Sequence, residues 1–576
     1  MKFARITSIT ANVLITCLFF SACSTLSHND ANSTKQIKLN RVFPTDTYPS
    51  IKFDASIIAS TLLDLSHQQP RIIVPVSNGI IAALDAKTGD LLWKEKVPTP
   101  KDEEAQLIAT PIIVDNKLVV SYQCLNQGIR TSHRLAVLDL LKNQWDKQFP
   151  VLSFNAEKPS FNGKGIVKFN SATAFSHAAL KHWNPPNSKL GYVYAAFGNA
   201  SDIQPFHGWL FEVDLDRWQH LGVSKAIRNI LLTTPETDCP KKTEYGTQEM
   251  ICGGGIWVPG GPLIEVAGND MEIFIPTGNG QVNLEHHDFS NMLLRVKPGL
   301  QFDAGCNKEL CQKFDPLQPN LTCIASCKNI FIPRLGSNDE PIKPPYHECD
   351  NKDFWECLAW MDYDLGANVP IKISLRDGHQ VIVQAGKDGG VYLIDANHLG
   401  TQYDRLQIAK LCGSKTDLCK LSWAGMIVTQ PVQSTIDNEP IVVIPTFNAD
   451  KTNASGLVAL KIVLKDGQPK LQRFWNFPNA DNPEALQMFR SHPSFPLLTK
   501  ESSNNDAIIW IVDIATNGTL YGIRVKDGSV FARQQLLGSG RQLSMPLMID
   551  DTLYIQSVIP STGKAMIEAY QIISKE

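Results

Sequence analysis

The 576-residue sequence has no excess of basic charge: 54 Lys and Arg stand against 57 Asp and Glu. It therefore lacks the electrostatic footprint of a nucleic-acid binder. It contains no Gly-x-Ser-x-Gly, no phosphate-binding glycine loop and no zinc-protease motif, so the chemistries that carry those local signatures are not indicated. No Cys-x-x-Cys-His occurs either, so the chain carries no covalent c-type haem. Long helical periodicity is nearly absent, which argues against a helical bundle. What remains is a chain with a 43% apolar fraction, ample for a large core, arranged mostly in short alternating runs.

The first residues form a processing signal. Lys2 and Arg5 precede an apolar run from Val13 to Phe20, too short for a comfortable membrane-spanning helix. Phe20-Ser21-Ala22-Cys23 resembles a bacterial lipobox, in which small residues admit the peptidase and the cysteine is acylated. The resemblance implies a signal peptide over residues 1–22 and lipidation at Cys23. Ser24 after the cysteine implies sorting to the outer membrane and a protein on its periplasmic face. Residues 23–50 read as the lipidated cysteine and a flexible polar tether, and 51–576 as one domain. An oxidising compartment suits the close cysteine pairs Cys239 and Cys252, Cys306 and Cys311, Cys323 and Cys327, Cys349 and Cys357, and Cys412 and Cys419. Their connectivity stays open, zinc is a competing reading for the segment at Cys323 to Cys327, and Cys124 has no obvious partner.

The domain is organised by one repeated stretch. In Asn78 to Lys94, Ile81, Ala83 and Asp85 alternate with Ile80, Ala82 and Leu84, which predicts a strand buried on both sides. Asp85-Ala-Lys-Thr-Gly-Asp90 then predicts a tight turn before the returning strand at Leu91 to Lys94. Degraded copies occur at Arg134–Asp139, Gly208–Asp214, Asn291–Gly299, Gly389–Asp395, Gly456–Lys461, Gly518–Gly528 and Ala565–Tyr570, eight in all. Upstream of many copies a Pro opens another apolar run, as at Pro111, Pro262, Pro431, Pro493 and Pro546. Four antiparallel strands per repeat predict an all-β, eight-bladed β-propeller rather than a sandwich array or a β-helix. Residues 301–356, rich in Cys and Pro, interrupt the pattern as an insertion.

The repeat Gly79-Ile-Ile-Ala-Ala-Leu-Asp-Ala-Lys-Thr-Gly-Asp-Leu-Leu-Trp93 resembles that of the pyrroloquinoline quinone (PQQ) propellers. That superfamily holds both quinoprotein alcohol dehydrogenases and a lipoprotein of outer-membrane protein assembly, so the repeat implies fold more than function. Gly253-Gly-Gly-Ile-Trp257 and Pro276-Thr-Gly-Asn-Gly280 resemble dehydrogenase segments whose Trp lies on the quinone and whose Asn binds calcium. The resemblance thus implies Trp257 as a cofactor platform and Asn279 as a metal ligand. Trp360-Met-Asp-Tyr-Asp364 resembles the segment bearing the catalytic base, with the register open between Asp362 and Asp364. Lys387 occupies the place of a cation that touches the quinone, and Asp202 that of a shorter carboxylate ligand to calcium. The adjacent Cys-Cys pair of the dehydrogenases has no counterpart.

Two functions follow. In one, the propeller is an outer-membrane-tethered platform that binds another envelope protein. In the other, it is a PQQ- and calcium-dependent dehydrogenase of alcohols or sugars that passes electrons to a separate acceptor. A further group of ligand-type residues, Glu285-His-His-Asp288, is read as a weak metal candidate because adjacent histidines on a strand point apart.

Overall fold

The computed structural model describes residues 36–199, 206–236, 252–268, 270–280, 282–312, 320–333, 363–409, 429–447, 455–479, 481–500, 506–514 and 518–573, and the backbone alone of 243–245 and 248–250. The fold is an eight-bladed propeller of antiparallel sheets. Blade 1 runs through Leu62–Asp64, Arg71–Pro75, Ile80–Asp85 and Leu91–Lys96, each paired to the next. All eight copies of the repeated stretch fall on the third strand of a blade: Ile80–Asp85, Ile129–Asp139, Trp209–Asp214, Leu293–Val296, Gly390–Asp395, Leu457–Lys465, Thr519–Arg524 and Ala565–Ile572.

The alternation in those strands has a direct cause. The core is divided into eight apolar clusters, one at each junction between neighbouring blades. In blade 1, Ile81 and Ala83 enter the junction with blade 2, while Ala82 and Leu84 enter the junction with blade 8. A strand in the middle of a blade must therefore be apolar on both faces. Trp93 packs on the junction with blade 2, as the repeat suggested.

The repeated turn is also explained. Asp85 Oδ1 accepts from the backbone N–H of Lys87 at 2.8 Å and of Thr88 at 3.0 Å, and Gly89 turns the chain with φ +75°. A Cβ on Gly89 would lie 2.8 Å from the ring of Phe43, on the outer strand of blade 8. Blade 7 repeats the arrangement, where a Cβ on Gly528 would lie 2.8 Å from the indole of Trp475 in blade 6. The glycine thus serves two ends, a positive φ and a flat seat for the neighbour's aromatic ring.

Three expectations are corrected. Leu39–Phe43, within the stretch read as tether, is the outer strand of blade 8, pairing Leu39 with Ile572 and Arg41 with Tyr570. The segment from residue 301 is not wholly an insertion outside the blades, because it contains Ile330–Phe331, the fourth strand of blade 4. Its disulfides are nested rather than local: Cys306 joins Cys327 and Cys311 joins Cys323, which uses up the thiols that zinc would need. Cys252 is disulfide-bonded, and Cys239, Cys349, Cys357, Cys412 and Cys419 lie outside the described residues. Cys124 is buried with a free thiol, whose pKa burial raises.

Ring closure makes the first test. Phe43 is fully buried among residues of blades 8 and 1, and Tyr554 of blade 8 donates to the carbonyl of Ala86 in blade 1 at 2.8 Å. Phe43→Ala should destabilise the protein by about 3–5 kcal/mol, read as a lower urea midpoint. A change below about 1 kcal/mol, the scale of an ordinary single substitution, would show that the closing strand does not hold the ring.

Candidate functional site

Strand direction decides where loops gather. In each blade the first strand is entered, the second is left and the third is entered on the same face of the disc, while the Asp85–Gly89 type of turn lies on the other. The described part of the cysteine-rich segment joins the third and fourth strands of blade 4, and its Phe302 packs on Phe289, in the loop between the second and third strands, with ring centroids 5.0 Å apart. Trp257 and Asp364 precede the first strands of blades 4 and 5, and Asn279 and Lys387 follow their second strands. All four therefore belong to the same face.

Three of these residues meet. The Lys387 ammonium donates to Asp364 Oδ2 at 2.8 Å, with both side chains almost wholly buried. Asp364 Oδ1 accepts from the backbone N–H of Gly366 at 2.7 Å and from Trp257 Nε1 at 3.3 Å. Lys387 Nζ also stands 4.5 Å from the centroid of the Trp257 ring. Backbone contacts fix this frame: Leu365 donates to Asn291 Oδ1 at 3.0 Å and Lys387 to the Asp364 carbonyl at 3.1 Å. The glycines beside it make room, since a Cβ on Gly366 would lie 2.6 Å from Trp257 Nε1 and one on Gly278 3.0 Å. Asn279, next to Gly278, is 4% exposed. Asp362, Asp202 and Cys23 lie outside the described residues.

Two histidines that the sequence reading passed over complete the setting. His177 of blade 3 stacks on Trp257 with centroids 6.3 Å apart and planes 14° apart. His492 of blade 7 packs on Phe447 at 4.1 Å, and the charge of Lys387 acts on it. Side chains from blades 3, 4, 5 and 7 come within reach of one another only at the hub of the ring. The signal was available in part: His492-Pro493 occupies the place, just before a first strand, held elsewhere by Thr110-Pro111 and Gln430-Pro431. Burial is the main cause that holds both histidines down at about 4, and the Lys387 charge adds to it at His492.

The donor set suits a planar, oxygen-rich ligand. The indole offers a flat face, the ammonium a charge for carboxylate or quinone oxygens, and the glycines a cradle that a Cβ would fill. For calcium, which takes six to eight oxygens, the described residues offer Asn279 and Asp364. One feature opposes easy stacking: the Lys387 ammonium already stands over the indole.

Two tests follow from this geometry. Gly366→Ala should cost about 1–3 kcal/mol through overpacking and alter the near-ultraviolet circular dichroism by displacing Trp257; unchanged stability and spectrum would refute the close packing. The second concerns acid. The unfolded chain protonates His177 and His492 near pH 6.5, the folded chain only near 4. Their stabilising contribution is thus intact above pH 6.5 and is lost as the pH falls towards 4. His492→Gln should flatten the fall in urea midpoint between pH 6.5 and 4, by up to about one proton in the linkage slope. An unaltered slope would mean that His492 is not held neutral.

No protein-family profile matches the sequence, and no curated protein matches it. Solved structures do resemble it. Quinohemoprotein alcohol dehydrogenase ADHIIG from Pseudomonas putida HK5 is 13% identical, with a TM-score of 0.52 over 91% of this chain and 76% of that one. Quinohemoprotein alcohol dehydrogenase from Comamonas testosteroni is 11% identical, with a TM-score of 0.47 over 94% of this chain and 77% of that one. At such identities the likeness to the first is one of fold: this chain is a propeller similar in architecture to the quinoprotein dehydrogenases.

Proposed function

We propose that the hub of this propeller is a quinone-binding redox site and that the protein is a PQQ- and calcium-dependent dehydrogenase of alcohols or sugars. The observation that carries the reading is the meeting of Trp257, Asp364 and Lys387 at one point. Trp257 lies more than 100 residues before Asp364 and Lys387 in the chain, and the family resemblance had implied Trp257, Lys387 and, with Asp362 as the alternative, Asp364.

In this reading the bound quinone supplies the hydride acceptor. Trp257 provides the surface against which a planar ligand is held. Lys387 provides the charge that attracts its oxygens. Asp364 takes the substrate's hydroxyl proton on Oδ2, while the Gly366 N–H and the Trp257 indole hold Oδ1 and so fix the carboxylate plane. Asn279, with Asp202, would hold calcium. A lipid anchor at Cys23 would keep the protein on the periplasmic side of the outer membrane, beside a separate electron acceptor.

A second reading has its own observation. Because the Lys387 ammonium already stands over the Trp257 indole, the hub also suits a propeller that binds no cofactor and serves as a docking platform for an envelope protein. One experiment separates the two: titration of the purified protein with PQQ and Ca²⁺, followed by dye reduction with a panel of alcohols and sugars. The dehydrogenase reading expects saturable, calcium-dependent binding that Trp257→Ala abolishes. It also expects Asp364→Asn to lower turnover by about 10²–10⁴-fold, the share of a general base, while PQQ still binds. Absence of binding at micromolar PQQ in the presence of Ca²⁺ would leave the platform reading in its place.

A further inference from the structure

Away from the Trp257 cluster, but on the same face, the loop between the second and third strands of blade 4 folds back on the segment that leaves blade 3. The loop turns at Asn283, whose Oδ1 accepts from the backbone N–H of Glu285 at 3.0 Å and of His286 at 3.2 Å. This turn separates the two histidines: His286 stacks on Phe161 at 4.4 Å and His287 on Phe289 at 6.0 Å. Adjacent histidines do point apart, yet only one of them is needed, because the third ligand comes from a distant segment.

His286 Nδ1 lies 2.8 Å from Glu236 Oε2. Asp288 joins them, with one ligand atom of each of the three residues within 4.8 Å of the others. Asp288 is 0% exposed, and neither of its carboxylate oxygens has a hydrogen-bond partner. A fully buried carboxylate without a donor is costly unless a charge neutralises it. Nothing among the described residues does so; burial and the neighbouring Glu236 instead push the Asp288 carboxyl up to about 8. The spacing fits an ion, since metal–ligand bonds of about 2.0–2.4 Å span ligand atoms up to about 4.8 Å apart. Half-exposed His286 leaves a way in from solvent.

We propose that Glu236, His286 and Asp288 form a binding site for a divalent transition-metal ion of the zinc class. One imidazole and two carboxylates suit zinc better than calcium, which prefers an all-oxygen shell. The ion acts as a staple for the hub. The same loop carries Asn279 and Asn291, and Asn291 both donates to the Gly278 carbonyl at 2.8 Å and accepts from Leu365. The segment before Glu236 is tied to the glycines that lead to Trp257, with Thr233 Oγ1 donating to Gly254 at 2.8 Å and Thr234 Oγ1 to Gly253 at 2.9 Å. Metal between the two would fix both approaches to the site.

The test uses the purified full chain, stripped with a chelator, dialysed and titrated with Zn²⁺, and separately with Ca²⁺. One tightly bound Zn²⁺ per chain and a rise in Tm are expected, with Ca²⁺ binding more weakly. Asp288→Asn keeps the side-chain volume and His286→Ala alters a half-exposed position, so both variants fold. Each should weaken Zn²⁺ binding at least about tenfold, as loss of even an outer-shell partner does, while Trp257→Ala should leave it unchanged. No saturable Zn²⁺ binding, binding that both variants retain, or a preference for Ca²⁺ would each overturn the proposal.

Discussion

The fold depends on closing a ring of sheets with the first strand among the described residues. Leu39–Phe43 supplies the outer strand of blade 8, whose other strands come from the C-terminal end. Without it Ala565–Ile572 would offer an unpaired edge to any passing chain. The closure is also lateral. Phe43 lies under Gly89 of blade 1, and Tyr554 reaches the Ala86 carbonyl in the same turn. Two ends more than 500 residues apart are thus joined by backbone pairing on one side and aromatic packing on the other.

Closure has a geometric consequence for function. With every blade wound in the same sense, the repeated Asp-to-Gly turns line one face and the loops that vary line the other. On the turn face, blades 1 and 7 meet the same demand, a positive φ at Gly89 and Gly528 beneath a neighbour's ring. The opposite face carries no such demand at its hub. Trp257, Asp364 and Lys387 stand there because their loops are free to depart from the repeat, and glycines at 278 and 366 let them approach one another. The nested disulfides tie together the segment between the third and fourth strands of blade 4, which packs into the apolar junction with blade 3.

This division explains what was legible in the sequence. The third strands were readable because burial on two faces leaves an uninterrupted apolar run with a turn signal after it, as in Ile80–Asp85. The outer strands were harder. Ile330–Phe331 is two residues long behind a disulfide-linked segment, and Leu39–Phe43 pairs with a partner at the far end of the chain, a relation with no local trace. Trp257 and Lys387 could be singled out because each sits beside glycines in a recognisable segment. His177 could not, because nothing local marks a histidine that the ring turns towards its hub, and His492 had only the following Pro493 to place it before a first strand. The Glu236, His286 and Asp288 cluster was missed for a related reason: its local half, Glu285 to Asp288, looked unpromising until the fold brought in the ligand from blade 3.

The hub itself holds a tension that the fold alone does not relieve. A buried Lys–Asp pair gains little net stability, because desolvating two charges offsets most of their attraction. Here the pair spans two segments entering and leaving strands of blade 5, and the same ammonium also leans on the Trp257 face. An apolar hub would pack as well. Under the proposed function, a charge pair set against an indole, with glycines around it, would gain when a planar anion arrives. The ammonium would then turn its hydrogen bonds to ligand oxygens and release one carboxylate oxygen of Asp364, while Gly366 still held the other. In that reading, the cost that the buried pair imposes on folding would be offset by ligand binding at the point where three segments converge.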